Sequence, residues 1–258
     1  MKFDEIRDLV AGVPYVMADM AYDLYHHVLV NKPEHCLELG FAHGASSCYI
    51  AAALDELGEG HLTSVDLLGA KDWQDPTIEL LLEKTGLGEY VTVARECTGY
   101  NWFLKKMIAS RTENGKCMPV YDFCFIDGSK NWTIDGAAFF LADKLLKENG
   151  WIVFDDLQWT YESKLKEGKK KTDGVSMLEM GEDELVQPHV ELIFQLLVMQ
   201  HPDYSNFLVK DNWWGWAQKS SSGGKEVKMV LSDAYKKRLF AWEEKHQKRQ
   251  RAPFEPHA

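Results

Sequence analysis

The chain is poor in the residues that mark several common classes of protein. Its five cysteines, among 258 residues, make an odd number without a close pair, which argues against a disulfide framework and against a zinc site. No apolar run approaches the length of a membrane span, and the first residues lack the apolar core of a signal peptide. We therefore expect a cytoplasmic protein that does not bind membranes.

Positive charge is also scarce, with 29 Lys and Arg against 40 Asp and Glu and a net charge of -11. Residues 219–251 hold ten Lys and Arg against four Asp and Glu, a local charge of +6, which leaves -17 on the rest of the chain. Such a surface repels nucleic-acid phosphates, so we expect no nucleic-acid partner. The basic segment itself is typical of a solvated helix, predicted over residues 232–250.

The remaining composition, 45% hydrophobic and 27% charged, is that of a globular protein. Its length suits a single α/β domain with additions. We predict a helical cap over residues 1–32, a core over residues 33–218, and a basic C-terminal helix and tail over residues 219–258.

Short apolar runs alternate with segments of helical or loop character throughout the core. This alternation predicts a doubly wound, mostly parallel sheet of the Rossmann-like type, with a C-terminal antiparallel hairpin over residues 206–210 and 213–217. A further helix is predicted over residues 184–200, whereas residues 160–184 lack a clear period and are a candidate mobile lid. The predicted parallel strands cover residues 35–39, 61–66, 90–95, 121–126 and 150–155.

The first predicted strand ends in a glycine-containing turn, Glu38-Leu39-Gly40-Phe41-Ala42-His43-Gly44-Ala45. Glycine at such a turn allows positive backbone angles and close approach of a nucleotide-like ligand, although a purely structural strand-to-helix turn has the same pattern. Asp66 ends the second strand, where a carboxylate can bind both hydroxyls of a ribose. An ordinary turn residue is the alternative for Asp66.

Three more carboxylates follow the fourth and fifth strands: Asp127, Asp155 and Asp156. The carboxyl ends of parallel strands open on one crevice, so these side chains are expected to converge. Magnesium or another hard divalent cation suits a carboxylate-only site. The alternative is that Asp155 and Asp156 cap a loop and that Asp127 starts the next turn.

The stretch from Glu38 to Asp156 resembles class I S-adenosylmethionine-dependent methyltransferases, and in particular their metal-dependent O-methyltransferases. The glycine turn is similar to their methionine-binding motif, and Asp66 to their ribose-binding acid. The resemblance implies a cofactor site made of the following residues: Glu38, Gly40, Phe41, Ala42, Gly44, Ser46, Asp66, Thr98, Asp127 and Gly128.

Asp127, Lys130, Asp155 and Asp156 reproduce the spacing of the metal and substrate ligands in catechol-type O-methyltransferases. At the last position the catechol type has Asn, whereas macrocin- and novobiocin-type sugar O-methyltransferases have Asp. The resemblance implies methyl transfer to a catechol, phenol or sugar-like diol, with Asp127, Asp155 and Asp156 holding Mg²⁺. Lys130 is then either the catalytic base or a charged partner of the carboxylates.

Two other functions stay open at this point. A nicotinamide-dependent oxidoreductase would share the turn and the ribose acid, but the chain lacks its G-x-G-x-x-G pattern. A non-catalytic S-adenosylmethionine-binding module would keep the same core. A small-molecule acceptor is the expected partner, and a homodimer is possible.

The tryptophans of the core are further candidates for the acceptor site. Trp132 and Trp159 each follow a proposed metal ligand by a few residues and are candidate walls of that site. Trp213, Trp214 and Trp216 alternate in the predicted hairpin, which is more typical of core residues than of a substrate pocket.

Overall fold

The computed structural model describes residues 1–250, with side chains up to residue 242. The part of the predicted basic tail beyond residue 250 lies outside the described residues. The helices are α1 (Phe3–Leu9), α2 (Ala18–Asn31), α3 (Ala45–Leu57), α4 (Ile78–Thr85), α5 (Tyr100–Ser110), α6 (Trp132–Leu145), α7 (Tyr161–Lys166), α8 (Glu182–Val186), α9 (His189–Ile193) and α10 (Asp233–Gln250). The strands are β1 (His35–Leu39), β2 (His61–Leu67), β3 (Val91–Glu96), β4 (Thr112–Glu113), β5 (Lys116–Cys117), β6 (Tyr121–Ile126), β7 (Leu146–Phe154), β8 (Lys171–Thr172), β9 (Val175–Ser176), β10 (Tyr204–Lys210), β11 (Trp214–Lys219) and β12 (Lys228–Val230).

Eight strands form one sheet in the order β12-β10-β11-β7-β6-β1-β2-β3. The five strands from β7 to β3 are parallel, and β11 runs antiparallel to both β7 and β10. The predicted mostly parallel sheet with a C-terminal antiparallel hairpin is confirmed.

Helices cover both faces of this sheet, each over its own apolar cluster. One cluster lies beneath α1 to α4, and the other lies beneath α5, α6 and α9. Because the central strands are buried on both faces, their sequences are almost continuously apolar, as in Cys124-Phe125-Ile126.

Three features of the fold differ from the sequence prediction. The helix predicted over residues 184–200 is divided into α8 and α9 at Gln187-Pro188, because proline cannot donate the helical hydrogen bond. The strand predicted from residue 150 begins at Leu146. Within the candidate lid, β8 and β9 form a two-residue hairpin whose turn, Asp173-Gly174, has positive φ angles of 47° and 82°.

Among the described residues, we find no helix that is both long and apolar enough to span a membrane. All five cysteines lie within this part of the chain and are free thiols.

Candidate active site

The turn after β1 is packed directly against the end of β6. Gly40 has φ of 86°, and a Cβ atom built on it would lie 2.1 Å from the backbone oxygen of Asp127. The backbone N–H of Asp127 donates to the oxygen of Leu39 at 2.9 Å. Glycine is required here because two strand ends meet, and that contact brings the glycine turn beside the carboxylates.

The second glycine of the turn, Gly44, serves the packing of α4. A Cβ on Gly44 would lie 2.5 Å from Cγ1 of Ile78, and its φ is 90°. His43 is buried, with Nδ1 3.0 Å from the oxygen of Pro76 and its ring between Tyr15 and Trp73. The contacts of His43 are therefore those of a residue that stabilises the fold.

Glu38 lies beneath the turn and is fully buried. Its carboxylate accepts hydrogen bonds from Ser46 Oγ at 2.5 Å, from Ser64 Oγ at 2.7 Å, and from Ser47 Oγ. Burial raises the pKa of Glu38, and the serine hydroxyls oppose that rise. In this position Glu38 and Ser46 hold the turn in shape, and both are engaged with the protein itself.

Asp66 closes the turn from β2. Its Oδ2 accepts from the backbone N–H groups of Phe41 and Ala42, at 3.3 and 3.0 Å, and its Oδ1 accepts from that of Leu67 at 2.6 Å. These bonds leave Oδ1 with acceptor capacity for a ligand. Thr98 lies on the exposed segment that follows β3, at the same edge of the sheet.

The side chain of Lys130 lies between two carboxylates. Its Nζ is 3.1 Å from Oδ1 of Asp127 and 3.3 Å from Oδ2 of Asp156, and the three side chains are only 14–17% exposed. Lys130 and Asp156 both have positive φ angles, 55° and 63°, which non-glycine residues adopt rarely. Such backbone strain is common at functional sites.

The protonation of this cluster follows from its burial. Burial raises the pKa of Asp127 to about 7 against the opposing charge of Lys130. Burial also raises the pKa of Asp155 well above its ordinary value, and Asp127 and Asp156 add to the rise. Burial alone would lower the pKa of Lys130, but the nearby carboxylates outweigh it and raise the pKa well above 10.5. Of the two roles left open for Lys130, this environment favours the charged partner.

Asp155 is oriented by a residue that the sequence analysis placed in the core without a polar role. Trp214 on β11 is buried, and its indole Nε1–H donates to Asp155 Oδ1 at 2.6 Å. The same oxygen accepts from the backbone N–H of Asp156 at 2.6 Å. The signal that could have identified this contact is the pairing of the predicted hairpin with the strand that ends at Phe154.

Apart from this contact, Trp214 and Trp216 are core residues, as the sequence pattern of the hairpin indicated. Trp159 packs edge-to-face on Tyr161, with ring centroids 4.7 Å apart, in a small apolar cluster with Val175 and Met177. Val175 belongs to β9, so the β8–β9 hairpin packs onto the protein through this cluster. A Cβ on Gly174 at its tip would lie 3.1 Å from Cδ1 of Leu67, so the hairpin reaches the end of β2 beside Asp66.

The loop that carries Asp127 and Lys130 is held by buried hydrogen bonds. Tyr100 OH donates to Asp135 Oδ1 and accepts from the backbone N–H of Ser129 at 3.1 Å. Tyr161 OH donates to the oxygen of Ser129 at 2.9 Å. A Cβ on Gly128 would lie 2.3 Å from Tyr100 OH, so glycine is needed there for close packing.

We expect Tyr100→Phe to destabilise the folded protein by about 2 kcal/mol, since it leaves the buried N–H of Ser129 without a partner and removes one of the hydrogen bonds to the buried Asp135 carboxyl. Denaturant unfolding measures the change. Tyr15→Phe is the matched control, because Tyr15 is 71% exposed, and it is expected to stay within about 0.5 kcal/mol of the parent. Equal stability of the two variants would contradict the role given to the Tyr100 hydroxyl.

Across the described residues, no group of three or more His, Cys, Asp or Glu side chains is arranged to hold a metal ion. The physical reason is that the Lys130 ammonium lies between Asp127 and Asp156, while an oxygen of Asp155 is engaged by Trp214. As placed, these side chains do not fit a metal ion. The predicted Mg²⁺ site is therefore not supported by this arrangement.

A comparison with known protein families identifies a domain within the chain. A family model described as a methyltransferase domain matches residues 37–157, which contain the glycine turn, Asp66 and the carboxylate cluster. The chain contains a methyltransferase domain over these residues. The nicotinamide-dependent alternative has no support from this match.

Solved structures of methyltransferases share the fold of this chain. An O-methyltransferase from Bacillus cereus, in complex with S-adenosylhomocysteine, is 19% identical with a TM-score of 0.54, over 84% of this chain and 88% of that one. The S-adenosylhomocysteine-bound methyltransferase PaMTH1 from Podospora anserina is 14% identical with a TM-score of 0.57, over 84% and 87%.

The O-methyltransferase TomG from Streptomyces achromogenes, which is involved in tomaymycin synthesis, was solved with S-adenosylmethionine. It is 16% identical with a TM-score of 0.54, over 84% of this chain and 89% of TomG. At these identities the comparison establishes the shared fold and no more. No curated protein matches this chain by sequence.

Proposed function

We propose that this methyltransferase transfers the methyl group of S-adenosylmethionine to a hydroxyl oxygen of a small molecule. The observation that carries the proposal is the Lys130 ammonium, which lies between Asp127 and Asp156 beside the glycine turn. The cofactor occupies the glycine turn and Asp66. The acceptor hydroxyl lies against the cluster of Asp127, Lys130 and Asp156.

The chemistry needs little more than alignment and charge. The sulfonium methyl is already electrophilic, so the protein has to hold the acceptor oxygen in line with it and stabilise the developing oxyanion. The Lys130 ammonium supplies that positive charge in a mostly buried site, where its effect is larger than in water. A carboxylate of the pair that flanks Lys130 accepts the hydroxyl proton.

A catechol, phenol or sugar-like diol is the class of acceptor that we infer. Two carboxylates on either side of one ammonium offer acceptors and a donor to two neighbouring hydroxyls. The structural neighbours named as O-methyltransferases support oxygen as the methylated atom.

The sequence also suggested that a divalent metal ion assists the reaction. The arrangement of this site does not require one. A divalent cation between Asp127 and Asp156 would have to displace the Lys130 ammonium. In the proposed mechanism Lys130 provides the positive charge itself. The Mg²⁺ dependence expected from the sequence is therefore replaced here by the expectation of transfer without the ion, which activity with and without Mg²⁺ tests.

The test begins with a calorimetric titration of S-adenosylmethionine into chelator-treated protein, with NAD as the control ligand. We expect saturable binding of S-adenosylmethionine and none of NAD. Methyl transfer to catechol, phenol and sugar-diol acceptors is then measured in EDTA and in Mg²⁺, and we expect transfer to persist in EDTA. Transfer seen only with Mg²⁺ would assign the charge to the metal, and transfer to none of the hydroxyl acceptors would contradict O-methylation.

A further inference from the structure

Arg95 on β3 belongs to a network of polar contacts that the reaction described above does not use. Its strand position pairs in register with Asp66, the proposed ribose acid, on the neighbouring parallel strand. Residues paired in this way project from the same face of a sheet. The guanidinium therefore lies on the side of the sheet to which the Asp66 carboxylate points.

The guanidinium of Arg95 is held firmly by two other segments. Its Nε and Nη2 donate to the two carboxylate oxygens of Glu79, on α4, at 3.0 and 3.1 Å. Its Nη2 also donates to the amide oxygen of Gln74 at 2.8 Å. This forked arrangement uses the planar geometry of arginine, which lysine cannot reproduce.

The same guanidinium contacts the glycine turn. Its central carbon lies 4.9 Å from the ring centroid of Phe41, a cation–π contact, and Phe41 is almost completely buried. The backbone N–H groups of Phe41 and Ala42 are the donors that bind Asp66 Oδ2. Arg95 therefore packs against the Phe41–Ala42 segment, whose backbone N–H groups orient the Asp66 carboxylate.

One feature of the network is costly for stability. The side chain of Arg95 is only 8% exposed, yet Nη1 lacks a hydrogen-bond partner, as does Nε2 of the buried Gln74. Buried donors without partners destabilise a fold, and native structures contain few of them. Because the buried Arg95 guanidinium costs stability, a role in the neighbouring cofactor site explains its presence better than a role in stabilising the fold.

We propose that Arg95 is a positioning residue for the cofactor, which holds the Phe41–Ala42 backbone, and through it the Asp66 carboxylate, in the arrangement that binds the cofactor. This inference rests on the proposed cofactor site around Asp66. Arg95 acts through Asp66 and Phe41.

The electrostatics give this role a measurable signature. Burial raises the pKa of Asp66, while the backbone N–H groups and the charge of Arg95 lower it. Arg95 and the buried Glu38 both interact electrostatically with this carboxyl. Glu79, the partner of Arg95, stays ionised because the Arg95 hydrogen bonds lower its pKa to about 2.

Asp66 has to be ionised to accept hydrogen bonds from both ribose hydroxyls. Affinity for the cofactor is therefore lost as the pH falls through the pKa of Asp66 in the free protein. Without Arg95 that pKa rises, so the loss begins at a higher pH. An arginine that only stabilised the fold would leave this pH profile unchanged.

The experiment is a titration of the full chain with S-adenosylhomocysteine from pH 5 to 8, for the parent, Arg95→Met and Arg95→Lys. We expect Arg95→Met to weaken binding about tenfold at neutral pH and to move the acidic loss of affinity to higher pH. Arg95→Lys keeps the charge without the fork, so it is expected to retain the parental pH profile and to recover part of the affinity.

Two further variants separate the possible causes. Arg111→Met removes an exposed arginine at the end of α5 and is expected to bind like the parent. In an Asp66→Asn background, Arg95→Met is expected to produce no further shift of the pH profile, because the titrating group is gone. Thermal unfolding of every variant identifies any loss of folded protein.

The outcomes are distinct. Failure of the parent to bind S-adenosylhomocysteine would overturn the cofactor site and this inference with it. Binding by the parent, with the same affinity and pH profile in folded Arg95→Met, would overturn the role of Arg95 alone. A fall in melting temperature without a change in affinity would reduce Arg95 to a structural residue.

Discussion

Lys130→Met is expected to lower methyl transfer by at least about 100-fold while leaving affinity for S-adenosylmethionine largely intact. The variant removes the only ammonium that lies between Asp127 and Asp156 within the part of the chain that the structure describes. The developing oxyanion then loses its stabilising charge, whereas the glycine turn and Asp66 are untouched. The measurement is kcat with saturating acceptor, alongside a calorimetric titration of the cofactor.

The same variant is expected to lose about 2–3 kcal/mol of folding stability, because it leaves mostly buried carboxylates facing each other without a cation. Lys164→Met is the matched control. Lys164 also pairs with a carboxylate three residues away, Glu167, but that carboxylate is 50% exposed, so the control is expected to change stability by less than about 0.5 kcal/mol.

Lys130→Arg further separates charge from geometry. It retains the positive charge, and we expect it to restore most of the stability but only part of the activity, since the larger guanidinium cannot place its donors as the ammonium does. Parental kcat in Lys130→Met would contradict the charged role of Lys130 in catalysis.

Gly40→Ala is the substitution with the largest expected effect on the fold. The added methyl group would lie 2.1 Å from the backbone oxygen of Asp127, and the residue would have to keep a φ of 86°. Neither strand end can move without breaking the hydrogen bond between Asp127 N–H and Leu39. We expect a loss of about 4 kcal/mol or more in unfolding free energy, together with loss of S-adenosylhomocysteine binding.

Gly58→Ala is the matched control for this prediction. Gly58 has a similar φ of 74°, but no atom lies within 4 Å of the position that its Cβ would take. It therefore tests the backbone conformation alone, at an expected cost of about 1 kcal/mol. Denaturant unfolding of both variants gives the comparison, and equal losses would show that the contact with Asp127 is unimportant.

Much of the fold could be predicted because each strand carries its own local signal. The central strands are continuous apolar runs bounded by turn residues, and their alternation with helical segments leaves few topologies other than a doubly wound parallel sheet. The separation of α8 from α9 was missed because the proline signal at Pro188 was outweighed by the apolar run after it. The β8–β9 hairpin was missed although Asp173-Gly174 is a common hairpin turn, since its strands are only two residues long.

For the site, the sequence by itself determined which groups meet. The carboxyl ends of parallel strands open on one edge, so Gly40, Asp66, Asp127, Asp155 and Asp156 had to gather there once the strands were assigned. Only the tertiary structure decided what each group contacts. It placed the Lys130 ammonium between two carboxylates, the Trp214 indole on Asp155 and Arg95 beneath Phe41.

These contacts join residues far apart in the chain, 59 positions apart for Trp214 and Asp155. No spacing rule covers such a pair, because its geometry depends on the register of neighbouring strands and on the rotamers that packing selects. Strand ends are local and can be read from periodicity. The charge and hydrogen bonds at those ends depend on which other segments pack there, and that is a property of the whole fold.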